Sequence, residues 1–251
     1  MLKFLGRRSA FHEEQNNAYF IDGDRLVLID CAMDGSHKIR RMGPDKLAAL
    51  YRGVKAEEEL PAESKIREFV VLVTHTHGDH VGGIPMLIHY AYYILKMPVT
   101  VIAPSKEVCE DMAYLLNRME GCAPDGYRLI TAEEADFIWL KGAIPTKHAP
   151  ELDGRCFGYR LMIDGRNVIY TGDTCTLDPF LPYIDEGTVL YTEVSAFDTP
   201  VHFYVGRLLQ KEEYLKAKKA EVYLMHLDDQ ETILEKTKDT GFKPAPLFTV
   251  K

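Results

Sequence analysis

Five consecutive apolar residues, Phe69-Val70-Val71-Leu72-Val73, run straight into Thr74-His75-Thr76-His77-Gly78-Asp79-His80-Val81-Gly82-Gly83. A β-branched run without alternation predicts a strand covered on both faces, as at the centre of a layered α/β sheet. Three histidines and an aspartate released within six residues of its end predict a metal-binding loop. Imidazole nitrogens and carboxylate oxygens together suit zinc or a similar divalent cation. Gly78, Gly82 and Gly83 give the backbone room to turn several side chains towards one place. A polar loop with chance histidines is the plain alternative, and the density of ligand-type residues at one strand end argues against it.

Such a loop needs further ligands from elsewhere. His148 follows the short run 143–147, Asp173 sits in Tyr170-Thr171-Gly172-Asp173-Thr174, and His226 ends the run 222–225. Each lies where a loop leaves a strand, the usual place for a site carried on a rigid scaffold.

The remaining chain reads as strands and helices in turn. Short apolar runs at 2–5, 18–21 and 25–29 predict strands, with Asp22-Gly23-Asp24 as a hairpin turn. A polar helix is expected over 36–51, then a solvated connection at Glu57-Glu58-Glu59 and Pro61. A helix over 84–97, a strand at 99–102 and a helix from Ser105 to Gly121 follow. The second half predicts strands near 137–140, 157–163, 168–170, 189–191 and 222–225, and helices near 207–219 and 230–238. Two sheets packed face to face with helices outside, in one domain spanning 1–251, satisfy this order. The helix containing His89 is apolar nearly all round, which predicts either burial or a subunit interface.

A formal charge of −8 opposes a broad basic surface for nucleic acid. The five cysteines have no CxxC spacing, which predicts reduced thiols and a cytoplasmic protein. No apolar stretch is long enough to span a bilayer, and Met1–Arg8 lacks the pattern of a signal peptide.

The chain resembles the metallo-β-lactamase superfamily through HxHxDH (His75, His77, Asp79, His80), the later His148, Asp173 in its GDT and the final His226. The resemblance implies an αββα sandwich, two mixed β-sheets flanked by helices, with two metal ions at one edge. It assigns His75, His77 and His148 to the first zinc and Asp79, His80 and His226 to the second, with Asp173 bridging. Two Zn2+, or Mn2+ or Fe in their place, would share a hydroxide able to attack a phosphodiester, thioester, lactone or amide. The β-lactamases proper lack the bridging aspartate, and flavodiiron-type centres carry glutamate where His77 stands, so hydrolysis of another substrate is expected.

Within the superfamily, Glu193 to His202 is similar to the Glu-x-x-Phe and following histidine of ribonuclease Z-like phosphodiesterases, as are Ser9-Ala10-Phe11 and His148-Ala149-Pro150. That likeness makes His202 a candidate proton donor, Glu193 its orienting partner and Asp79 a candidate catalytic residue as well as a ligand. The long arm that grips tRNA is missing, and Leu227-Asp228-Asp229 is acidic, so tRNA is not the expected substrate. Small arm-less members, such as the anti-Pycsar cyclic-nucleotide phosphodiesterases and the phosphonate-pathway phosphodiesterases, are the nearest types. They imply a small phosphodiester substrate and a homodimer. A thioesterase or lactonase of the glyoxalase II type and an inactive nucleotide-binding protein are the competing readings. Asp30 is expected to brace the histidine loop from behind.

Overall fold

The computed structural model describes residues 1–54 and 60–247, so the expected connection at Glu57–Glu59 lies outside the described residues. Three strands open the chain: β1 (Lys3–Gly6), β2 (Asn17–Asp22) and β3 (Arg25–Ile29). Asp22 pairs with Arg25 across a two-residue turn, where Gly23 takes the positive φ that such hairpins require. Helices α1 (Met33–Met42) and α2 (Pro44–Tyr51) precede β4 (Glu68–Leu72). After the histidine loop come α3 (Gly78–Val81), α4 (Ile84–Tyr90) with a π-helical continuation over Ala91–Leu95, β5 (Val99–Ala103), α5 (Lys106–Ala113) and β6 (Arg128–Thr131). The second half holds β7 (Leu140–Thr146), β8 (Cys156–Ile163), β9 (Arg166–Tyr170), β10 (Val189–Glu193), α6 (Val205–Leu209), α7 (Glu212–Ala217), β11 (Glu221–Met225), α8 (Gln230–Thr237) and β12 (Lys243–Pro244).

The strands form two six-stranded sheets, ordered β1-β2-β3-β4-β5-β6 and β12-β11-β10-β9-β8-β7. Strands β1–β3 in the first sheet and β7–β9 in the second are antiparallel, and the remaining pairs of each sheet are parallel. The period-2 geometry of a strand explains why the central runs are apolar throughout. Val27, Ile29, Val70 and Leu72 face the second sheet, where Tyr159, Leu161, Val168, Tyr170 and Tyr191 meet them. Their neighbours Leu26, Leu28, Phe69 and Val71 face outwards onto Ile39, Leu47, Ile84, Leu87, Val108 and Met112 of the helices. The second sheet is covered likewise, Ile169, Leu190 and Leu224 packing on Val205, Leu208, Leu215 and Ile233. The result is the αββα sandwich of two mixed sheets.

Several element bounds differ from the sequence reading. The helix expected over 36–51 begins earlier and breaks at Gly43, whose φ of 83° and following Pro44 forbid a continuous helix. The helix expected over 207–219 is two short ones with a turn at Gln210–Lys211. The strand expected near 137–140 starts only at Leu140. Phe137 and Trp139 instead stack on each other at 5.0 Å, and the Trp139 indole donates to Asp22. The helix carrying His89 is buried on one side only, through Ile84, Leu87, Ile88 and Ala91, while Met86, Tyr93 and Ile94 are exposed. No helix among the described residues is long and apolar enough to cross a membrane.

Candidate metal centre

The ligand-type residues leave the carboxyl ends of strands in both sheets. His75, His77, Asp79 and His80 follow β4, His148 follows β7, Asp173 follows β9 and His226 follows β11. Parallel alignment of these strands brings their ends to one edge of the sandwich, and the loops close over it. Gly172 in the Asp173 turn has φ 59°, and a side chain there would meet the Phe157 carbonyl at 2.5 Å.

The seven residues converge. His77 Nδ1 lies 3.0 Å from His75 Nε2 and 3.3 Å from His148 Nε2. Asp79 Oδ2 lies 3.3 Å from both His80 Nε2 and His226 Nε2. Between the two groups stands Asp173, whose Oδ2 is 3.4 Å from His80 Nε2, 3.4 Å from His226 Nε2, 3.7 Å from His148 Nε2 and 3.9 Å from His75 Nε2.

Hydrogen bonds at the rear fix how the imidazoles point. Asp30 Oδ1 accepts from the Thr74 amide, and its Oδ2 accepts from Thr74 Oγ1 and His80 Nδ1, each at 2.8 Å. Thr74 Oγ1, having donated to Asp30, can accept from His75 Nδ1 at 3.0 Å. One buried carboxylate thus orients His80 directly and His75 through a hydroxyl, leaving both Nε2 atoms facing the centre. His148 Nδ1 donates to the Val201 carbonyl at 2.6 Å, which turns its Nε2 the same way. Asp30 and His226 both adopt positive φ, 60° and 52°, an uncommon conformation for residues with side chains.

Charge follows the same division. Burial holds His75 well below its ordinary pKa and lowers His77 and His148, which keeps these imidazoles neutral. Burial opposes charge at His80 and His226 too, but the carboxylates of Asp173, Asp30 and Asp79 outweigh it and raise both. Asp173 and Asp79 are held below the usual carboxylate range because the surrounding histidines outweigh their own burial. His80 Nε2, Asp173 Oδ1 and His226 Nδ1 are buried without a hydrogen-bond partner. Three imidazole nitrogens aimed at one another, two ionised carboxylates and these orphaned atoms fit divalent cations. Among the described residues, four overlapping sets have ligand atoms mutually within 4.8 Å: His75/His77/His148, Asp79/His80/His226, His75/His80/Asp173 and His148/Asp173/Glu193/His202.

Glu193 ends β10 fully buried, and His202 lies in the loop after it. The Glu193 carboxylate accepts from the Thr174 amide through Oε1 and from His202 Nδ1 at 2.7 Å through Oε2. The His202 ring lies 4.8 Å from that of His148 and 5.4 Å from that of His226, so the pair reaches the cluster. Burial works against charge on His202, yet Glu193 outweighs it and lifts the pKa to about 9. A cleft of about 350 Å³ opens here, lined by His77, Asp79, His148, Asp173, Val201 and His202. His12 sits to one side against Arg8, and Cys175 is half-buried. Thr74, Thr174 and the Val201 carbonyl were not anticipated. They act through backbone atoms or one hydroxyl, which no residue pattern marks.

The family described as Anti-Pycsar protein Apyc1 matches this chain over residues 1–244. The Anti-Pycsar protein Apyc1 of Paenibacillus sp. (strain J14) is 30% identical over 154 residues, 60% of this chain and 54% of the relative. The chain therefore matches about half the length of that relative. Among solved structures, the metallo-β-lactamase fold protein YhfI from Bacillus subtilis superposes with a TM-score of 0.67 at 18% identity, covering 97% of this chain and 94% of its own. A diphosphatase from the PhnP family gives 0.67 at 16% identity, with 100% and 96% covered. Human tRNase Z, short form, gives 0.65 at 16% identity, with 99% and 97% covered. Likeness at these identities establishes the fold.

Proposed function

The chain belongs to the Anti-Pycsar protein Apyc1 family, and from that membership we propose that it is a metal-dependent phosphodiesterase acting on a small phosphodiester such as a cyclic nucleotide. His75, His77 and His148 would hold one cation and Asp79, His80 and His226 a second, with Asp173 between them. Two divalent cations bound there, zinc by the chemistry of the donor set, would supply an activated water at neutral pH and neutralise charge on the phosphoryl oxygens.

The observation that carries the reading is the Glu193–His202 pair beside the cluster. Glu193 accepts a hydrogen bond from His202 Nδ1–H, so the Nε2–H is left to face the cleft. With its pKa lifted to about 9, His202 remains protonated at neutral pH and can deliver that proton to a leaving alkoxide. Cleavage of a thioester expels a thiolate, which needs no such donor. The same metal ligands with a dispensable His202 therefore describe the competing thioesterase, while a lactonase, which also expels an alkoxide, is separated by its substrate.

Hydrolysis of bis-p-nitrophenyl phosphate by the metal-reconstituted protein tests the proposal, with Asp173→Ala as the blank and cyclic nucleotides next. His202→Ala should lower kcat about a hundredfold or more on cyclic nucleotides, which expel an alkoxide, and much less on bis-p-nitrophenyl phosphate, whose p-nitrophenolate leaves without a proton. Turnover of thioesters but not diesters would transfer the site to the competing reading. The rest of the proposal is a cytoplasmic, one-domain protein that pairs into a homodimer through the exposed Met86, Tyr93 and Ile94 of the α4 segment. Sedimentation showing only monomer at micromolar concentration would remove the dimer.

A further inference from the structure

Beside the metal-side cleft lies a second one of about 270 Å³, and the two share Ala10, Phe11, His202 and His226 in their walls. Two phenylalanines line it in the open: Phe11 is 99% exposed and Phe197 59%. Leaving an aromatic side chain in water forgoes most of the gain that burial would bring. Yet neither ring sits on a slack loop. The Phe11 turn is closed by the His12 amide on the Ser9 carbonyl, and Gln15 holds the Ala10 carbonyl at 2.8 Å. Arg8 ties its base to the carbonyls of Leu227 and Asp228.

The Phe197 turn is braced from the same point. Asp228 accepts from Ser195 Oγ at 2.6 Å and from the Ala196 amide at 2.9 Å, and the Phe197 amide donates to Ser195 Oγ at 3.0 Å. Both rings are thus mounted on turns fixed to the segment 227–228, directly after His226. Ser195 and the Ala196 amide are paired with Asp228 and His202 with Glu193, and among the described residues no lysine or arginine lines the cleft. It therefore does not suit a second phosphate. What it offers is aromatic faces next to a proton donor, and a planar heterocycle stacks on such faces.

We propose that Phe11 and Phe197 are specificity-determining residues that receive the planar base of the substrate while its phosphoryl group lies in the adjoining cleft. His202, on the wall common to both, then stands between base and phosphorus. The assignment rests on the phosphodiesterase reading for the idea that the substrate carries a base, and its test is independent of turnover. Equilibrium dialysis of the metal-loaded protein against adenosine 5′-monophosphate and against ribose 5-phosphate compares a ligand that carries the base with one that has a hydroxyl in its place. The wild-type protein should bind the nucleotide at least about fivefold more tightly, the lower end of what one base–aromatic stack supplies. Phe11→Ala and Phe197→Ala should each move nucleotide binding towards that of the sugar phosphate, which itself should hold within about twofold. Phe197→Leu, which keeps apolar bulk without the ring, should lose most of the preference as well, and circular dichroism verifies that each variant is folded. Equal binding of the two ligands by the wild type, no binding of either, or a preference that survives both alanine variants overturns the assignment. A protein that shows the base preference but hydrolyses no diester overturns the phosphodiesterase reading and leaves this cleft in place.

Discussion

At the scale of single residues, the pair proposed to decide the chemistry is also one that titrates in a usable range. Glu193 holds His202 protonated up to about pH 9. A His whose folded pKa is raised contributes stability in full below its ordinary value near 6.5, and loses it as pH rises through about 9. As a proton donor it has the same dependence, so diesterase activity should hold through neutral pH and fall along a basic limb near 9. Glu193→Gln removes the charge but keeps the shape, so His202 should drop towards its ordinary value and carry the limb with it by about two units. A pH–rate profile of kcat for the two proteins measures this, and a basic limb that stays put in Glu193→Gln removes His202 as the donor. Asp30 acts one layer back. Because it orients His80 directly and His75 through Thr74, Asp30→Ala should weaken metal binding about tenfold to a hundredfold, measured as metal retained after dialysis. Unchanged retention would show that Thr74 and the packing alone hold the two imidazoles.

Elements put these residues where they are, and one tight junction lies between β3 and α4. The Gly83 amide donates to the Cys31 carbonyl, and a side chain at Gly83 would meet the Ala32 carbonyl at 2.2 Å. Backbone cannot yield there as a flexible side chain would, so Gly83→Ala should destabilise by about 1–3 kcal/mol and shift the histidine loop. Urea unfolding measures it, and a change below 0.5 kcal/mol would mean that α4 slides without cost. The same junction shows why some elements were legible and others not. Strands β3 and β4 announce themselves because both faces are buried, so every residue after the opening Arg25 and Glu68 is apolar. Strand β6 has one exposed and two half-buried positions among its four, including Arg128, and β12 is two residues long, so neither carries a pattern. Gly43-Pro44 is a helix break that could have been read, since a proline restricts the residue before it. The stack of Phe137 on Trp139 resembles the alternation of a strand, and only pairing with β8 separates the two.

Across the whole molecule, the candidate site is a seam between the sheets. Its histidine loop leaves the first sheet, while His148, Asp173 and His226 leave the second. The ligand types were legible because each ends a recognisable strand. Their meeting was not, because it depends on how two sheets stack, and sequence periodicity is silent on that. The seam has an energetic consequence. Unfolding separates ligands that lie far apart along the chain, so cations bind the folded state much more tightly than the unfolded one. Free metal at about a thousand times the dissociation constant then stabilises the fold by about 4 kcal/mol per site. Metal-loaded protein should therefore melt well above protein stripped by a chelator, with the difference growing as free metal is raised. In Asp173→Ala the gain should shrink, because that carboxylate lies within 3.9 Å of histidines from both groups. Thermal unfolding followed by circular dichroism across a zinc titration measures both. A melting temperature indifferent to metal, with two ions shown bound per chain, would place the ions away from the seam and sink the assignment of these seven residues.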